Sequence, residues 1–122
     1  MNIWIIAPGA EHEKLVSPLR LKPYRVFCNE TVTAAFEALP AGVERVDAFV
    51  LAGLEPTAVS HGIAAIRTHP KLATTPVLVV SETLGEKDAA ALRKAGADLC
   101  YRLPFAAPVF AARVRAAAAV KR

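Results

Sequence analysis

Five short apolar runs, each closed by turn residues and separated from the next by a stretch with helical spacing, constrain this chain more than any other feature. They fall at residues 2–7, 24–28, 47–52, 76–80 and 99–102. The run at 76–80 is dense in valine without polar alternation, and the first, closed by Pro8-Gly9, is as continuous. Strands buried on both faces of a parallel sheet read this way.

The intervening segments read as helices of unequal quality. Residues 10–21 carry a weak pattern broken by Ser17-Pro18. Proline inside a helix costs about 3 kcal/mol, so this helix is expected to be short or kinked. Thr31 is placed to cap a helix running to Leu39, with Val32, Ala35, Phe36 and Leu39 on one face and Pro40-Ala41-Gly42 ending it. Thr57 is expected to cap the next, reaching about Thr68 with Ile63 and Ile66 buried. Residues 86–95 form an alanine-rich helix stopped by Gly96, and Pro108 sits in the first turn of a last helix to about Val120. Strands alternating with helices through short loops give a parallel sheet covered on both faces. The expected fold is therefore α/β and flavodoxin-like, with strand order 2-1-3-4-5 in a single domain over residues 1–122.

With 54% apolar and 21% charged residues, the chain has the composition of an ordered globule. No apolar run is long enough to span a bilayer and the N-terminus does not resemble a signal peptide, so the expected location is cytoplasmic, away from membranes. Cys28 and Cys100 match no metal spacing. In the expected order they lie on opposite edge strands, roughly 19 Å apart, too far for a disulfide, and read as buried thiols. His61 and His69, read as lying on one helix, are separated by about 12 Å of rise, and His12 is elsewhere. No metal or other cofactor is expected.

Charge is unevenly placed within the overall +4. Residues 86–122 hold eight basic residues against three acidic ones, Glu86, Asp88 and Asp98, whereas the first 85 residues hold seven and eight. Such an excess is either a solvated face or a docking surface for an acidic partner.

Four segments resemble, in order, the landmarks of the receiver domain of two-component response regulators. Residues 46–56, Val-Asp-Ala-Phe-Val-Leu-Ala-Gly-Leu-Glu-Pro, are similar to its third strand and proline-ended loop, and residues 76–81, Pro-Val-Leu-Val-Val-Ser, to its fourth strand with a terminal hydroxyl. Ala95-Gly96-Ala97-Asp98 followed by Pro104-Phe105 is the most characteristic piece, and Ala112-Arg113-Val114-Arg115-Ala116 resembles the last helix. The resemblance implies a phosphoacceptor aspartate at the end of strand three, two acidic residues after strand one that help to hold Mg²⁺, a hydroxyl after strand four and a lysine before the proline-phenylalanine step. Carried over by position, the acceptor falls on Ala52, the acidic pair on Ala7 and Pro8, and the lysine on Leu103; Ser81 alone keeps its type. The aromatic switch position falls on Cys100, with Tyr101 adjacent. Methyl, pyrrolidine and isobutyl groups cannot ligate a cation or accept a phosphoryl group. Glu55 and Asp47 are poor substitutes, lacking an acidic partner from strand one.

The expectation is a degenerate, phosphorylation-independent receiver, not an enzyme, that binds a signalling protein or output domain through its fourth helix, fifth strand and fifth helix. Lys87, Arg93, Lys94, Arg102, Arg113 and Arg115 would form the contact face. An acidic partner suits that face better than a symmetric homodimer, which would need Glu86, Asp88 and Asp98 to pair across the contact. The alternative is a small anionic ligand or nucleotide at the strand ends or along the arginines, although no dinucleotide or Walker fingerprint is present. Nucleic acid is disfavoured for want of interleaved aromatics. A rigid spacer without a binding role is the blandest reading.

Overall fold

A computed structural model describes residues 2–20, 24–38, 46–81, 84–102 and 106–120. The strands are β1 (Asn2–Ile6), β2 (Arg25–Asn29), β3 (Ala48–Ala52), β4 (Val77–Ser81) and β5 (Leu99–Arg102). The helices are α1 (His12–Val16), α2 (Val32–Ala38), α3 (Pro56–Thr68), α4 (Glu86–Ala95) and α5 (Ala107–Ala118). All neighbouring strands pair in parallel, in the order β2-β1-β3-β4-β5. Ile5 thus stands between Cys28 and Val50, and Leu78 between Val50 and Leu99.

Side chains alternate between two apolar layers, as strand geometry requires. Trp4, Ile6, Phe49, Leu51, Val77 and Val79 face α2, α3 and α4, meeting Val59, Ile63, Ile66 and Leu92. Ile3, Ile5, Ala48, Val50, Leu78 and Val80 pack with Leu15, Phe110 and Val114 from α1 and α5. Both faces of the central strands are therefore covered, which is why their sequences show no alternation.

The first helix is short, flanked by 3₁₀ turns at Gly9–Glu11 and Ser17–Leu19, with Pro18 in the second. Thr31 caps α2, its Oγ1 accepting the Ala34 N–H at 3.0 Å. Leu39 and Pro40-Ala41-Gly42 lie outside the described residues. Thr57 is not a cap: α3 opens one residue earlier at Pro56, with Glu55 as the N-cap, held extended at ψ 146° and making no side-chain cap bond. Proline disfavours a helical residue before it, and its own fixed φ suits the first helical position. His69 also falls just outside α3, in extended backbone (ψ 129°), so it does not share a helix with His61. Cys28, expected to be buried, is only half-buried because β2 is an edge strand, whereas Cys100 is buried; both thiols are free.

The turn after α4 ties the N-terminal end of the sheet together. Gly96 takes φ +121°, and its N–H and that of Ala97 return to the Arg93 and Leu92 carbonyls. Arg67 reaches across from the last turn of α3. It donates to the Gly96 carbonyl from Nε (3.1 Å) and Nη2 (2.7 Å), to the Thr75 and Ala73 carbonyls from Nη1 (2.6 and 3.1 Å), and to Asp98 Oδ2 (2.9 Å). The same carboxylate oxygen accepts the Val77 N–H at 2.8 Å, so one arginine and one aspartate join α3, the start of β4 and the turn into β5.

A Cβ at Gly96 would stand 3.1 Å from Arg67 Cγ and Nε and 3.2 Å from Ile63 Cγ2, in a backbone conformation that L residues rarely adopt. Gly96→Ala should therefore lower stability by about 1–3 kcal/mol, the usual range for forced backbone strain. Urea unfolding would measure it, and an unchanged midpoint would show that the turn relaxes freely.

Candidate functional site

The C-terminal ends of the strands meet where an open α/β sheet of this order forms its crevice. Ala7 follows β1 fully buried, Ala52 ends β3 at 4% exposure, and Ser81 ends β4 half-buried, in register with Arg102. Leu103 lies outside the described residues. Gly53 turns away at φ +66° and donates its N–H to the Val80 carbonyl at 3.3 Å. A Cβ there would meet the Pro8 ring at 3.7 Å, so Pro8 leans over the end of β3.

The turn after β1 is tied by the protein's own side chains. Glu30 Oε1 accepts the Gly9 N–H at 3.1 Å, and His12 Nε2 stands 2.7 Å from the Ala7 carbonyl oxygen. A carbonyl only accepts, so Nε2 is the protonated ring nitrogen. The Ala7 N–H bonds the Asn29 carbonyl at 3.1 Å, and Asn29 Oδ1 accepts the Trp4 indole N–H at 2.7 Å.

These residues do not fit Mg²⁺. The positions that would supply its carboxylates carry a methyl group at Ala7, a pyrrolidine at Pro8 and a methyl group at Ala52, whereas the ion demands hard oxygen donors. Among the described residues no three His, Cys, Asp or Glu side chains are grouped to hold a metal. Asp47 lies at the opposite end of the sheet, where its carboxylate accepts the Asn2 N–H at 2.7 Å. Glu55 is exposed at the start of α3.

Cys100, expected from the resemblance at the switch position, is buried in the layer beneath α3 and α4. Burial pushes its thiol above the ordinary range; Arg93 opposes this and Asp98 adds to it. Burial likewise raises Cys28. Tyr101 projects to the other side of β5, packing with the α5 layer, so it cannot occupy the place of residue 100.

The arginines nearest β5 come from three elements. The Arg113 guanidinium stacks 4.2 Å above the Tyr101 ring, Arg93 Nη2 donates weakly to the Cys100 carbonyl at 3.4 Å, and Arg102 is exposed at the strand's end. Lys87, Lys94 and Arg115 are exposed on α4 and α5. Arg115 follows Arg113 by two residues, roughly 200° around α5, and so points away from β5. The face is therefore narrower than the six residues suggest.

A feature missed in the sequence is a largely apolar cleft of about 50 Å³ between the starts of α3 and α4, lined by Leu54, Pro56, Val59, Val79, Val80, Leu84 and Leu92, with Asp88 and Ser81 also on its wall. Its only signal is a pair of leucines, Leu54 and Leu84, in loops that are otherwise polar or small.

No family model matches the sequence, and no curated protein is similar to it. Solved structures are similar in fold. A response regulator from Thermotoga maritima superposes with a TM-score of 0.80 at 19% identity, covering 98% of each chain. The non-phosphorylated HemR receiver domain from Leptospira biflexa gives 0.76 at 20% identity over 99% of this chain and 95% of its own. An orphan response regulator of H. pylori gives 0.74 at 17% identity over 97% and 96%. The protein has the receiver fold. No helix among the described residues is long and apolar enough to cross a membrane.

Proposed function

We propose that this chain is a phosphorylation-independent receiver that works by protein–protein contact in two-component-type signal transduction. The observation that carries this reading is the set of side chains at the strand ends: Ala7, Pro8 and Ala52 stand where phosphoryl chemistry needs carboxylates. In a phosphate-driven switch, metal and phosphoryl group supply the differential contacts between two states. Here Pro8 leans over Gly53, Glu30 holds Gly9, and the Ala7 carbonyl is bonded to His12. The turn after β1 is thus held by internal bonds, with no metal or phosphoryl group needed to tie it. Docking falls to the face around β5, where Arg93, Arg102 and Arg113 favour a partner with an acidic surface.

Two-dimensional amide NMR during addition of Mg²⁺ and then beryllofluoride, a stable acyl-phosphate mimic, tests the first half. Resonances near Ala7, Ala52 and Ser81 should stay in place; saturable shifts clustered there would sink the proposal. A polyglutamate peptide tests the second half. Binding should move resonances around Arg93, Arg102 and Arg113 and weaken as salt is raised. An affinity indifferent to salt would remove the electrostatic argument.

A further inference from the structure

The reading above uses neither the apolar side chain of Val109 nor the cleft between α3 and α4, which adjoins the strand-end site at Ser81. Among the described residues Val109 is the one large hydrophobic that is exposed, at 41%. It sits one helical turn before Arg113, on the same flank of α5. Arg113 in turn holds a buried Nε with no hydrogen-bond partner among the described residues, although its guanidinium lies over Tyr101.

The cleft is complementary to this pair in size and charge. A water-sized group occupies roughly 10–15 Å³ of such a space, so about 50 Å³ admits three to five heavy atoms. The side chain of valine has three. Asp88 forms part of the wall, and Glu55 is exposed beside Leu54 and Pro56 at the rim.

The two features cannot meet within one molecule. Asp88 lines the flank of α4 that faces α3, whereas Arg93 on the same helix reaches toward β5. The knob belongs to α5, which packs on one face of the sheet, and the socket to α3 and α4, which pack on the other. Symmetric pairing through the β5 face would set arginine against arginine, while head-to-tail pairing sets arginine against carboxylate. We infer that this protein associates head to tail with a second copy of itself, Val109 of one copy seated in the α3–α4 cleft of the next and Arg113 set against Asp88. The inference rests on the reading that the basic face around β5 is a docking surface, and it names the acidic partner. Such a contact is heterologous: each copy keeps a free knob and a free socket, so the assembly grows rather than closing at a dimer.

Sedimentation velocity of the full chain at low salt over a wide concentration range tests this. The average mass should rise with concentration without levelling at a dimer. Val109→Asp removes the knob and Asp88→Lys reverses the socket; each alone should weaken self-association by about tenfold or more. Both positions are exposed, and far-UV circular dichroism would verify that both variants fold. Mixed together, the variants should form a one-to-one dimer and stop there, because only the Asp88→Lys knob and the Val109→Asp socket remain. A wild type that is monomeric throughout, a closed dimer, or a mixture that stays monomeric would overturn the inference. Polyglutamate binding separates the two readings: if the peptide binds the wild type while self-association is absent, only the head-to-tail contact is lost. If neither occurs, the docking face is lost with it.

Discussion

Arg67→Leu is expected to unfold at far lower urea than the wild type, with stability reduced by about 3–5 kcal/mol, the usual consequence of removing one partner of a buried ion pair. A domain of this size has only about 5–15 kcal/mol in total, so the loss is about a fifth of it or more. The arginine is 15% and Asp98 9% exposed at the side chain, far from the condition in which ion pairs contribute little. Leucine would leave the Asp98 carboxylate without its guanidinium and the Ala73, Thr75 and Gly96 carbonyls without these donors. Asp98→Asn should be milder, since an amide oxygen can still accept the Val77 N–H. Equilibrium denaturation of both variants measures the difference. If Arg67→Leu keeps the wild-type midpoint, the network is ornamental.

Ala52→Asp, which puts a carboxylate where the receiver resemblance expects the acceptor, should cost several kcal/mol at neutral pH and should not create a metal site. The new carboxylate would enter an apolar layer with Ala7, Val50 and Val80, and an ionised group without a partner is heavily penalised there. Burial without a neighbouring cation raises a carboxyl pKa in the folded state above its unfolded value. Between those two values the folded state binds more protons, so stability falls as pH rises through that window. The variant should therefore approach wild-type stability in mild acid and diverge from it toward neutrality. Mg²⁺ should not rescue it, because Ala7 and Pro8 still offer no carboxylate. Thermal unfolding across pH, with and without Mg²⁺, is the measurement; stabilisation by the metal would mean that the pocket retains its chemistry.

The elements that the sequence specified best are those in which local chemistry and tertiary context agree. β5 and α4 begin and end where composition places them, α4 because Gly96 supplies a backbone conformation other residues resist. Where two local signals compete, the stronger steric one wins: Thr57 is a good capping residue, but Pro56 fixes the start of α3 before a hydroxyl can act. The candidate site was legible as residue types at register positions, since a methyl group at Ala52 is visible without coordinates. Its internal ties were not. Glu30 on Gly9 and His12 on the Ala7 carbonyl depend on how far side chains reach across loops. Arg67 was equally hidden, because most of its partners are backbone carbonyls, and these carry no residue signature.

The anchor formed by Arg67 and Asp98 stands at one end of strands only five residues long, roughly 16 Å from the end where Ala7 and Ala52 lie. Perturbations separated by more than about 10 Å and sharing no partners act almost additively. The scaffold's integrity is thus uncoupled from the make-up of the crevice: side chains there can be exchanged while the opposite end holds the architecture. A fold partitioned in this way tolerates change at its crevice without losing its shape.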